Sequence, residues 1–113
     1  MDSRLNASLE AAGLIRRAEA EGGFGAVLRK GDPERGALLI VLRSRDRHVT
    51  CLERTLSAGG RYRWTVVGPE AEESPEKLAE FLRNRVRFDE DLWLIELDIA
   101  QPERFIAETT SAG

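Results

Sequence analysis

Five consecutive apolar residues, Leu38 to Leu42, run through the chain with no polar position at either the helical or the strand period. Gly36 precedes them and the turn-forming Ser44-Arg45-Asp46 follows. A run this short, with a β-branched centre, predicts a strand covered on both faces. Such a strand needs neighbours along its edges and packing above and below. Phe24 to Lys30 alternates in strand fashion, with Phe24, Ala26 and Leu28 against Gly25, Val27 and Arg29. Gly31 to Gly36 then makes a hairpin loop, in which Pro33 presets a turn dihedral and Asp32 caps through its side chain. His48 to Leu56 is the third strand, Ser57 to Gly60 a second hairpin turn, and Tyr62 to Val67 the fourth strand.

Two helices flank this hairpin series. Leu5, Leu9, Ala12, Ile15 and Glu19 follow a 3-to-4 spacing that Gly22-Gly23 terminates. Ser74-Pro75-Glu76 supplies an N-cap, a proline at the first helical position and a first-turn acid. Leu78, Phe81, Leu82 and Val86 form the stripe of that second helix. Asp91 to Ile99 reads as the last strand, with Trp93, Ile95, Leu97 and Ile99 on one face and Leu92 and Leu94 on the other. Pro102 to Glu108 is expected to make a short helical turn. The order predicts an α+β fold: helix, four-stranded antiparallel meander, helix, strand, with the helices packed on one face of a single sheet. Residues 1–108 are read as one domain and 109–113 as a frayed tail. The last strand is placed against Phe24 to Lys30, which leaves Tyr62 to Val67 as the exposed edge. The core expected from these faces is Leu28, Leu38, Ile40, Leu42, Trp64, Phe81, Trp93 and Ile95.

Three pieces of the chain have a familiar order and spacing: Arg16-Arg17-x-Glu19-x-x-Gly22-Gly23, Lys30-Gly31-Asp32-x-x-x-Gly36 and Arg87-Phe88-Asp89-Glu90-Asp91-Leu92-Trp93. Together they resemble a small bacterial family known as domain of unknown function 1491, over nearly the whole chain. Glu90 stands where that family tends to have proline. The resemblance implies a cytoplasmic bacterial protein and carries no activity with it.

Composition narrows the function classes. The chain has 113 residues, 42% of them hydrophobic and 33% charged, and a net charge of −3. No global attraction to nucleic acid or to an anionic membrane follows from that balance. No apolar run approaches a membrane span, and the N-terminus, with Asp2, Arg4 and Glu10 among scattered leucines, has no apolar signal region. A cytoplasmic location is expected. Cys51 is the sole cysteine, which excludes an intramolecular disulfide and a cysteine-rich zinc site. Fifteen arginines against two lysines suit bidentate recognition of phosphate or carboxylate, but GC-rich coding produces the same bias, and the acids suffice to pair most of them.

Charge is segregated along the chain. Arg43 to Arg63 holds six arginines and two acids, net +4, whereas Asp89 to Glu108 holds seven acids and one arginine, net −6. Tyr62 and Trp64 lie among the arginines, so Arg43, Arg45, Arg61 and Arg63 are the candidate binding residues of a basic, aromatic surface. Against this, the two regions can neutralise each other within the fold, and Tyr62, Trp64 and Val66 share one core-directed face. Asp89 and Asp91 with His48, the only histidine, are the residues a metal-dependent hydrolase would use. The plainer reading is that the two aspartates stop a helix and cap a turn, while Glu96 and Asp98 face water. His48 and Cys51, three apart on a strand, point to opposite faces and make no local catalytic pair. No nucleophile elbow and no phosphate-cradling glycine loop is present, so no catalytic residue, metal or cofactor is assigned. The sequence therefore points to a non-catalytic protein-binding or adaptor module whose partner is another protein or a second copy. RNA or single-stranded nucleic-acid binding through the basic hairpins is the first alternative, and the small metal-dependent hydrolase the second.

Overall fold

In the computed structural model, which describes residues 6–56 and 58–111 (for Leu56 the backbone only), the apolar run is the middle of the sheet. The elements in chain order are α1 (Ala7–Ala20), β1 (Phe24–Arg29), β2 (Leu38–Ser44), β3 (Arg47–Leu56), β4 (Tyr62–Val66), α2 (Pro75–Phe88), β5 (Trp93–Asp98) and α3 (Pro102–Ser111). They build one five-stranded sheet in the order β1-β5-β2-β3-β4. Leu38 to Leu42 in β2 are at most 2% exposed, the two-sided burial that an unbroken apolar run requires.

The sheet is mixed and the expected four-strand meander does not form. β5 enters between β1 and β2, antiparallel to β1 and parallel to β2, with Leu38 opposite Trp93, Ile40 opposite Ile95 and Leu42 opposite Leu97. The reason lies in β5 itself. Leu92, Leu94, Ile95 and Leu97 are buried on both faces, and an edge position would leave their backbone groups unpaired beside an apolar surface. β5 does pair with β1 as expected, but from the inside, so β1 and β4 are both edges. The route from β4 to the parallel β5 carries α2 across the face of β3 and β2.

Helices cover both faces, a correction to the single helical face expected. On one face α1 and α3 pack Ala7, Ala11, Ala18 and Phe105 against Leu38, Ile40, Leu42, Leu52, Trp93, Ile95 and Leu97. On the other, α2 sets Leu78, Phe81, Leu82 and Val86 over Leu39, Val41, Cys51, Leu92 and Leu94. α2 buries none of its own residues fully and is tied down at its last turn by an Arg85–Glu53 ion pair to β3. It begins as expected, with the Ser74 hydroxyl accepting from the Lys77 N–H.

α1 meets the sheet through a different stripe from the one the spacing suggested. Its buried positions are the alanines, with Leu14 and Ile15 beside them, whereas Leu9 is 53% exposed. Alanines let the helix axis lie close, and at Gly25 in β1 an added methyl would already contact Ile15 and Leu97. Leu5 and Ser57, assigned to the helix stripe and to a turn, lie outside the described residues. Of the expected core, Leu38, Ile40, Leu42, Trp93 and Ile95 are buried, and Trp64 and Phe81 are partly buried against it. Leu28 is not core: it is the extra residue of a β-bulge between Val27 and Arg29 and stays 50% exposed. The last helix extends past the short turn expected at Pro102 to Glu108. α3 continues through Ser111 and buries Thr109, while 112 and 113 lie outside the described residues.

The loop from β1 to β2 has to straddle the incoming β5, and the contact is tight. The Asp91 carbonyl accepts from the Asp32 N–H (3.0 Å), the Trp93 indole N–H donates to the Asp32 carbonyl (2.7 Å), and Gly36 N–H donates to that same carbonyl (3.1 Å). An added Cβ at Gly31 would stand 1.9 Å from the Asp91 carbonyl oxygen, and one at Gly36 2.4 Å from it. The Asp32 carboxylate accepts from the Arg35 and Glu34 N–H groups, which hold it below its ordinary pKa. Pro33 and Glu34 carbonyls in turn accept from the first turn of α1.

Two stability measurements follow from this arrangement. Ile40→Ala should cost about 2–5 kcal/mol in denaturant unfolding, since the site is enclosed on all sides; a negligible change would remove β2 from the centre. Gly31→Ala should cost about 1–3 kcal/mol because backbone must move to admit the methyl, whereas Gly13→Ala, with open space around it, should be neutral or stabilising.

Candidate functional site

The four arginines singled out in the sequence fall into two separate pairs. Arg43 lies opposite His48 at one end of β3, and Arg63 opposite Thr55 near the other. Seven residues of strand put them roughly 23 Å apart at the usual rise. Arg45 and Asp46, with φ of 52° and 65°, form the two-residue turn between β2 and β3, the backbone that such hairpins favour. Their N–H groups both donate to the Asp98 carboxylate, at 2.9 and 2.8 Å. Arg43 makes ion pairs with Asp46 (3.2 Å) and Glu96 (3.5 Å). Glu96 and Asp98 therefore bind the β2–β3 corner instead of facing free water. Arg61 and Arg63 are exposed beside the β4 edge and, among the described residues, have no carboxylate partner.

The hydrolase residues are also divided. Asp89 and Asp91 border a cavity of about 340 Å³ with Arg35, Glu53, Arg54 and Tyr62. The Asp89 carboxylate accepts from the Asp91 N–H (3.0 Å), so it turns the chain out of α2. Arg54 is only 8% exposed, with its Nη1 donating to Glu10 (3.0 Å) and its guanidinium 4.3 Å from the Tyr62 ring centroid. This half-buried pair ties α1 to β3. His48 lies in a different cavity, of about 460 Å³, between the β2–β3 turn and the start of α2. Its Nε2 donates to the Pro69 carbonyl at 2.8 Å, which places the proton there because a carbonyl only accepts. Arg43 and Arg47 face Asp46 and Glu73 across that cavity, so it carries no net charge. Among the described residues no three His, Cys, Asp or Glu side chains converge to hold a cation. Cys51 sits under α2, on the same face as His48 and not the opposite one expected, because the irregularity at Val49 breaks the alternation; burial pushes its thiol up to about 12. Neither cavity brings an activated nucleophile beside a base.

What remains exposed and uncommitted lies along the sheet edges. On β1, Phe24, Val27 and Leu28 are 55%, 38% and 50% exposed, with β5 on one side and no strand on the other. On β4 the outward positions are Arg61, Arg63 and Thr65, with Val66 half exposed. Sequence reasoning missed β1 because it took Leu28 as core. The signal was present in the glycine and alanine between the large residues, which leave neither face of β1 with a continuous apolar row.

A family model described as a protein of unknown function, DUF1491, matches residues 5–107. A crystal structure of a DUF1491 family protein from Caulobacter crescentus CB15 is 28% identical with a TM-score of 0.73, covering 84% of this chain and 88% of that one. The solution structure of protein Atu0922 from A. tumefaciens is 31% identical with a TM-score of 0.71, covering 84% and 86%. An NMR structure of a DUF1491 family protein from C. crescentus gives 29% and 0.72, covering 85% and 86%. No curated protein matches the chain.

The buried thiol gives a measurable signature. A thiol whose folded pKa is raised stabilises the fold fully below its unfolded value, and that contribution is lost as the pH rises. Wild type should thus lose stability relative to Cys51→Ala between pH 9.0 and about 12. At pH 8 its reaction with a thiol reagent should run roughly a hundredfold or more slower than in the denatured chain. Equal rates would mean that α2 does not cover the sheet.

Proposed function

The chain belongs to the DUF1491 family, and from that premise we propose that it is a non-catalytic module that binds a protein through a sheet edge. The observation that carries this reading is β1, an edge strand with Phe24, Val27 and Leu28 exposed along it. Edges that are never used are normally blunted by charge, proline or cover. β4 is blunted in this way by Arg61 and Arg63, whereas the apolar stretch of β1 has only the bulge at Leu28, with charge confined to its end at Arg29 and Lys30. An edge of this kind takes an added strand, its free N–H and C=O groups giving affinity and the flanking side chains selectivity. The scattered cavities support the same reading, since catalysis needs its groups in one place. A cytoplasmic location fits, because among the described residues no helix is long and apolar enough to cross a membrane and the single thiol is buried and free.

The unpaired Arg61 and Arg63 favour nucleic acid as a second reading, through β4 alone. One comparison separates the two. Immobilised chain should retain a defined protein from extracts of the source organism, and Leu28→Lys should abolish that retention without changing the melting temperature. Retention that is instead salt-sensitive, competed by RNA and lost in the Arg61→Ala, Arg63→Ala double variant would overturn the protein-binding reading.

A further inference from the structure

We infer that the strand β1 accepts is β1 of a second copy, so that two chains pair antiparallel about a two-fold axis into one ten-stranded sheet. The inference rests on the edge-binding reading above and assigns its partner. A two-fold contact is isologous, so the patch has to be complementary to itself, and β1 meets that condition in both shape and charge.

Directly opposed residues of an antiparallel pair share a face, so a two-fold pairing centres on a single residue. Centred on Ala26, it sets Gly25 opposite Val27 of the second copy, twice, and brings Phe24 of each copy beside the bulged Leu28 of the other. The large exposed side chains then meet each other or a glycine, and none meets a like charge. The strand also has opposite charge at its two ends. Glu19 and Glu21 lie at its start, Arg29 and Lys30 at its finish, and Lys30 is exposed without an ion-pair partner among the described residues. Antiparallel pairing brings the start of one copy beside the finish of the other, so Lys30 of each copy approaches Glu21 of the other, twice. β4 lacks this property. Its exposed charges are Arg61 and Arg63 alone, so a two-fold pairing there gathers four arginines with no acid to answer them.

The test is a charge-exchange cycle read by sedimentation velocity over a concentration series. Wild type should show a reversible dimer with a dissociation constant in the micromolar range, as befits an interface at the small end of the size scale. Glu21→Lys and Lys30→Glu should each weaken it about tenfold, since every substitution acts twice across the axis, and the double variant should recover wild-type affinity. Phe24→Asp should abolish the dimer with the melting temperature unchanged. Both charged residues are exposed, so folding is not at stake in the cycle. A chain that stays monomeric at millimolar concentration overturns the inference, as does a double variant no tighter than its singles. If the monomer still captures a partner in a Leu28-dependent way, the second copy is the wrong partner and the edge-binding reading stands. If it captures nothing, both fail.

Discussion

The Asp91 carbonyl is the point on which the rest of this structure depends. It accepts from Asp32 N–H, lies against Gly31 and Gly36 with no room for a Cβ at either, and immediately precedes the strand that splits β1 from β2. If that close approach were lost, β5 would have no fixed depth between its neighbours, and the pairing of Ile95 with both Val27 and Ile40 would slip. A slip of one residue turns every side chain of a strand to the opposite face, and β5 is buried on both. The same loop receives the start of α1 and the Trp93 indole, so one backbone junction sets the positions of a helix, two strands and the largest side chain of the core.

Two-sided burial was legible in Leu38 to Leu42, and it already implied packing elements above and below the sheet. Placing both helices on one face disregarded that implication. The structure resolves it by sending α2 across Leu39, Val41 and Cys51 while α1 and α3 hold the other side. The insertion of β5 was harder to read, because local pattern reports which faces of a strand are covered and says nothing about which edges are paired. Only the length of the apolar stretch from Leu92 to Ile95 hinted at an interior place, and burial at a helix-covered edge would give the same stretch. The stripe of α1 misled for another reason. Larger residues such as Leu9 were counted as the buried face, but α1 buries Ala7, Ala11 and Ala18 and comes so close to β1 that a Cβ at Gly25 would stand 3.2 Å from the Ile15 backbone.

The charge segregation was legible as well, and part of it is spent within the fold. Glu96 and Asp98 of β5 lie beside Arg43 and the Arg45-Asp46 turn because β5 runs parallel to β2, with Val41 opposite Glu96 and Arg43 opposite Asp98. That pairing is a consequence of the strand order, which explains why the acids seemed destined for water when the order was unknown. Arg54 answers Glu10 and Arg85 answers Glu53. Arg61 and Arg63 remain outside this accounting, since no acid-bearing strand lies beyond β4.

The pieces by which the chain resembles its family are mostly the pieces that meet at these close approaches. Gly31, Asp32 and Gly36 touch Asp91 and Trp93, and Gly23 has no room for a Cβ against the Asp98 carbonyl. Those residues are fixed by backbone geometry, and their presence says how β5 is seated without saying what the protein binds. Function has to be sought where geometry leaves side chains free. Along the sheet that freedom is confined to its two ends, one guarded by arginine and one lined by Phe24, Val27 and Leu28. The insertion of β5 is what creates the second of these, since β1 in a simple meander would have been closed by the strand that now lies on its inner side. The interior strand that completes the core is therefore also the reason an apolar edge is left open.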